Sequence, residues 1–118
     1  MAGLRSAIEG VAHQPGVIAV ALVSSDGLVV DRVVPGTVTD PEEVAALSAT
    51  LAAHAASLGL SAGRGSFQTG VMEYQHGMVV VSRAGDENYL VVLVDPGHNI
   101  GELLYDLRQH EPALAALL

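Results

Sequence analysis

The sequence predicts a three-layer α+β domain with the order helix, strand, strand, helix, strand, strand, strand, helix. Three observations carry that prediction. Short apolar runs rich in β-branched residues recur at Val17–Val23, Leu28–Val34, Phe67–Gln75, Met78–Arg83 and Tyr89–Asp95, and such runs are too short for ordinary helices. Turn signals separate neighbouring runs, Asp26-Gly27 and Gln75-His76-Gly77 among them, so the five-stranded sheet is mainly antiparallel. Near-continuous apolar strands need cover on both faces. Three helical segments supply it, the central one on one face and the two terminal ones on the other.

The elements follow in order. Leu4, Ala7, Ile8 and Val11 form one apolar helix face, and that helix ends near His13 because Pro15 disfavours a helical Gln14. Pro15-Gly16 turns the chain into the first strand. Ser24-Ser25-Asp26-Gly27 leads to the second, whose Asp31 and Arg32 place its latter half at solvent or an edge. Pro35-Gly36 closes it, and Thr37–Thr39 leads to Asp40. There a helix starts with all the usual signals: Asp40 as N-cap, Pro41 in the first turn, Glu43 where a capping-box acid belongs. After this helix, Leu60–Ser66 is a small, flexible connector. Gly70 marks a bulge in the third strand. Ala84-Gly85-Asp86-Glu87-Asn88 joins the fourth and fifth strands. Asn99 caps a last helix with Ile100, Leu103, Leu104 and Leu107 as its apolar face, and Pro112 kinks or restarts it.

The central helix is unusual. At about 100° per residue, Val44, Leu47, Leu51, Ala55 and Leu58 share a stripe with Ser48 and His54, while Ala45, Ala46, Ala49, Ala52, Ala53 and Ala56 fill the back. After Glu43 no charge appears until Arg64. The Leu stripe is expected to cover the sheet and the Ala face to lie in a subunit interface.

Composition narrows the function. With 118 residues the chain suits one domain, 1–118, and not two. There is no Cys and no Lys, which removes disulfides, thiolate ligands, a Walker-type phosphate loop and Schiff-base chemistry. A net charge of −8 disfavours nucleic acid and anionic lipid. The segment Met1–His13 is amphipathic and contains Glu9, so it is not a signal peptide, and no apolar run reaches spanning length. A soluble, cytoplasmic protein without membrane insertion is expected.

No catalytic residue emerges. The five histidines, His13, His54, His76, His98 and His110, are too scattered in sequence for a chelating pair, so no metal or other cofactor is expected. Gly63-Arg64-Gly65 lies between a helix and a strand, the wrong context for a dinucleotide loop, and Gln68 stands where a third glycine belongs. Arg64 reads as a loop charge in preference to a finger donated in trans to a phosphate. His54 is either a neutral residue at the edge of a packed face or part of a helix–helix seam. In the seam, it makes dimer affinity fall below about pH 6; a dissociation constant flat across that range overturns the seam reading.

Several stretches, taken in this order, resemble the Roadblock/LC7 family of bacterial, MglB-like type. They are Pro15-Gly16-Val17, Leu22-Val23-Ser24-Ser25-Asp26-Gly27-Leu28, Asp40-Pro41-Glu42-Glu43-Val44-Ala45-Ala46-Leu47, Gly77-Met78-Val79-Val80-Val81 and Asn99-Ile100-Gly101-Glu102-Leu103. The resemblance implies a homodimer in which central helices pack antiparallel and third strands pair. It assigns the interface to Leu47, Leu51, Ala52, His54, Ala55 and Leu58 with Phe67, Thr69, Val71 and Glu73. It further implies a scaffold or activator that docks a small Ras-like GTPase without hydrolysing anything itself, with Glu42, Glu43, Ala46, Thr50, Ala53 and Arg64 as the candidate GTPase-facing residues. Two alternatives are a small-ligand sensor of PAS-like or profilin-like type and a purely structural dimer subunit. The small aliphatics of the core suggest dense filling, against a ligand cavity.

Overall fold

The computed structural model describes residues 3–33 and 40–118. Its elements are α1 (Gly3–Ala12), β1 (Val17–Ser24), β2 (Val29–Val33), α2 (Pro41–Ser61), β3 (Thr69–Tyr74), β4 (Gly77–Arg83), β5 (Asn88–Val94) and α3 (Gly101–Ala115). The predicted order is the observed one. Val34, the Pro35-Gly36 turn and the Thr37–Thr39 lead-in lie outside the described residues.

The strands form one antiparallel sheet in the order β2-β1-β5-β4-β3. Alternation along the strands sends side chains to two layers. Val20, Leu22, Val80, Leu90, Val92 and Val94 pack with Ile8 of α1 and Leu103, Leu107 and Leu114 of α3. Val23, Val81 and Val91 pack on the other side with Ala45, Ala49 and Ala52 of α2. The three layers are therefore α1 and α3, the sheet, and α2.

Here the faces of α2 are exchanged relative to the sequence reading. Ala45, Ala49 and Ala52 of the Ala face lie on the sheet with Ser48, while Ala46 and Ala53 are exposed. The leucines of the stripe point away from the sheet; Ala52 is 1% exposed, whereas Leu47 is 62% and Leu58 70% exposed. Side-chain volume explains the choice. The sheet surface beneath α2 carries Val23, Val29, Val79, Val81 and Val91 with Phe67 and Tyr89, and small alanines let the helix settle onto that bulky floor at close packing. At the N-terminal half the β1–β2 turn also closes on the helix: a Cβ at Gly27 would lie 3.1 Å from Ala46 Cα.

Local chemistry accounts for the termini. Asp40 Oδ1 accepts the Glu43 N–H at 3.1 Å, the expected cap. At α3 the expectation needs correcting, because Ile100 occupies the N-cap position and makes no side-chain cap. Asn99 Oδ1 instead accepts the Gly101 N–H at 2.8 Å, an Asx turn that leads into the helix. Pro112 does not restart α3, which runs on through it to Ala115. The proline lies on the exposed side of the helix, where water can satisfy the carbonyl its missing N–H leaves. Nor does Gly70 form a bulge, since the β3–β4 register is continuous; a Cβ there would rest in ordinary contact with the Phe67 ring, at 3.5 Å. The irregularities are in β1, between Leu22 and Val23 and between Val17 and Ala19.

The two-residue turn Gln75-His76 ends at Gly77, with φ +134°, where a Cβ would run into the Val94 carbonyl on β5. Gly77→Ala is expected to lower stability by about 3 kcal/mol, from clash and backbone strain together. A chemical denaturation series checks this, and a loss under about 0.5 kcal/mol would contradict it.

Candidate protein-interaction surface

With Ala45, Ala49 and Ala52 on the sheet, α2 presents two parallel lines to the outside. One is a ridge of Leu47, Leu51 and Leu58, each exposed. The other is a line of small residues, Ala46, Thr50, Ala53 and Ser57, also exposed, which follow one another at helical spacing. Thr50 turns its hydroxyl inward, donating to the Ala46 carbonyl at 3.0 Å, so its outward side is a methyl group. His54 lies exposed between the two lines.

The reading that no apolar run reaches spanning length is also corrected: α2 is long and apolar enough to cross a membrane by length and composition. It is not placed like a span. One of its faces forms a core with the sheet.

The ends of α2 differ in charge. Glu42 and Glu43 occupy the first turn, and Glu42 meets Arg32 of β2 at 3.4 Å, with both side chains largely exposed. Arg64 follows the other end, between Gly63 and Gly65, both of positive φ, with its N–H on the Gly59 carbonyl at 2.8 Å. A helix of 21 residues separates the two ends by about 30 Å. Of the candidate GTPase-facing residues, Ala46, Thr50 and Ala53 therefore cluster, while Glu42 and Glu43 stand far from Arg64 within one chain.

The β3 strand is an edge of the sheet. Thr69, Val71 and Glu73 point to the α1/α3 side, opposite Ser82, Val80 and Met78. Val71 and Glu73 are exposed and Thr69 is half-buried. Glu73 is the strand's one charge, little protection for an edge. Phe67 behaves differently from its neighbours in the candidate interface. It is half-buried beneath α2 and meets Tyr89 edge-on, with ring centroids 6.2 Å apart. Ala52 is enclosed on the sheet side of α2 and Ala55 is half-buried. The outward residues among those predicted are thus Leu47, Leu51, His54, Leu58, Val71 and Glu73.

The Roadblock/LC7 domain profile matches residues 3–94. The chain belongs to the Roadblock/LC7 family. Similar solved structures share the fold along nearly the whole chain. The gliding protein MglB from Thermus thermophilus is 21% identical, with a TM-score of 0.87 over 97% of this chain and 87% of that one. An MglB with a tetrameric arrangement is also 21% identical, with a TM-score of 0.87 over 97% and 86% of the two chains. A Roadblock/LC7 domain from Streptomyces avermitilis is 25% identical, with a TM-score of 0.82 over 93% and 92%. No curated protein sequence matches the chain.

Within this Roadblock/LC7 domain, α3 lies beyond the family match, and the structure shows there a feature that the sequence reading missed. A slot of about 320 Å³ opens between α1 and α3, floored by the sheet. The core is therefore less densely filled than its small aliphatics suggested. The one signal in the sequence was Gly10, in the middle of a helical pattern where glycine is unfavourable.

Proposed function

We propose that the protein is a homodimeric regulatory module that docks a small Ras-like GTPase and has no catalytic activity of its own. The observation that carries the dimer is the leucine ridge of α2, left exposed beside a nearly uncharged β3 edge. A monomer rarely keeps a contiguous apolar surface of this kind in water. The ridge and the neighbouring small-residue line are self-complementary, which a two-fold interface requires: each helix offers a ridge for the other's groove. Antiparallel packing also brings the Arg64 end of one α2 beside the Glu42–Glu43 end of the other, opposite charges in both places. Pairing of β3 strands joins the two sheets into one and removes the open edge.

The GTPase follows from the resemblance to bacterial MglB-type members, and the placement of the candidates supports it. Dimerisation turns two separated half-sites, an acidic end and Arg64, into composite patches at both ends of the helix pair. This reading places the protein in the cytoplasm with its GTPase. The test is a pull-down with Ras-like GTPases of the same genome in both nucleotide states, followed by single-turnover hydrolysis. Binding confined to the GTP state is the expected result. Failure with every such GTPase leaves a structural dimer subunit as the function.

A further inference from the structure

We propose that the slot between α1 and α3 is a binding site for a compact amphiphile with an apolar body and a cationic end, such as an alkylammonium compound. The site is separate from α2 and β3, so it stands or falls independently of GTPase docking.

The slot lies between two helices bridged by a contact toward each end. Near one end Gln14 Nε2 donates to Asp106 Oδ2 at 2.6 Å. Near the other, Leu117 lies against Gly3, where a Cβ would be 2.9 Å from Leu117 Cδ2. Between these contacts α1 turns Ala7 and Gly10 toward the space, and a Cβ at Gly10 would meet no atom within 4 Å. Glycine is among the least favourable residues for a helix interior. Alanine would fit here without a clash, so the packing of the chain itself does not require the glycine. The walls and floor are apolar, from Ile8, Leu90, Leu103, Leu107 and Leu114.

Size and shape select the occupant. About 320 Å³ is at the lower end of small-molecule sites, roughly 300–1,000 Å³. A partner helix, about 10 Å across, would have to pass the contacts Gln14–Asp106 and Gly3–Leu117 that bridge the two sides of the slot. Charge selects the head group. Asp106 and Glu111 stand among the lining residues, each with one carboxylate oxygen engaged, by Gln14 and by the Gly85 N–H at 2.9 Å. For the second oxygen of each, the described residues supply no hydrogen bond. The lining guanidinium, Arg83, is turned to the Asp86 carboxylate at 2.9 Å and the Gly85 carbonyl at 3.2 Å. The rim is therefore electronegative, on a chain of net charge −8, and favours a cation over an anion.

The test uses n-octylammonium as probe and octanoate as its anionic counterpart of equal length, with methyl NMR of the full chain. Saturable shifts of the Ile8, Leu103, Leu107 and Leu114 methyls are expected for the cation, with a dissociation constant of about 1 mM or tighter. Octanoate should bind about tenfold more weakly. Gly10→Leu, which fills the slot, should abolish the shifts; Gly10→Ala should keep them. If Gly10→Leu does not give a dispersed spectrum, Ala7→Leu one turn earlier serves as the blocking variant. Asp106→Asn with Glu111→Gln should erase the preference for the cation. The proposal is overturned by shifts that never saturate, by shifts that survive slot filling, or by equal binding of octanoate.

Discussion

Ala52→Arg should abolish the folded state. Ala52 is 1% exposed, enclosed between α2 and a sheet surface that includes Val81 and Val91. An arginine there has no room and its charge has no partner. A buried unpaired charge costs about 3–5 kcal/mol and overpacking about 1–3 kcal/mol more. Total stability for a small domain is about 5–15 kcal/mol, so little or none would remain. Circular dichroism should show no cooperative thermal transition at about 37 °C or above. A variant that melts cooperatively as a monomer would instead return the Ala face to the role of subunit interface, against the packing described here.

Leu51→Arg should have the opposite signature: the fold is kept and the dimer is lost. Leu51 is exposed in the single chain, so its replacement disturbs no core. In a two-fold interface each substitution occurs twice. With about 2 kcal/mol lost at each central anchor, the dissociation constant rises about a thousandfold. Sedimentation at micromolar concentration should then report the monomer mass with an unchanged melting temperature for the isolated domain. An unchanged dimer mass would move the interface elsewhere.

These two variants mark where sequence reasoning succeeded and where it stopped. The element order was legible because it rests on period and punctuation: β-branched runs, Asp26-Gly27, and the Asp40-Pro41 start of α2. That α2 carries no charged face was legible from its composition, and the structure buries one side of it, along Ala45, Ser48, Ala49 and Ala52. Which side meets the sheet was not, since alanine and leucine are both apolar and periodicity alone does not rank them. The answer lies in volume matching with strands distant in sequence, notably the valines of β1, β4 and β5. Asn99 was correctly associated with the start of α3, one residue from where a capping reading puts it. The slot escaped because it is made of missing atoms. Only Gly10 marks it, and one glycine in a helix is ambiguous until the opposite wall is known.

The strand order has a consequence for how the chain reaches this structure. Two neighbouring interior strands, β1 and β5, come from opposite ends of the sequence, whereas the pairs that reach the edges, β1–β2 and β3–β4, are local hairpins. The meander of β3, β4 and β5 can assemble by short-range contacts, while the central seam must wait for closure of a long loop that contains α2. Non-local pairing of this kind slows folding relative to helical bundles of equal size. During that wait, the bare flank of β5 and the outer rim of β3 are both open to other chains. Folding in dilute conditions should therefore give more native protein than folding at high concentration, because until the seam closes the chain has two sticky margins.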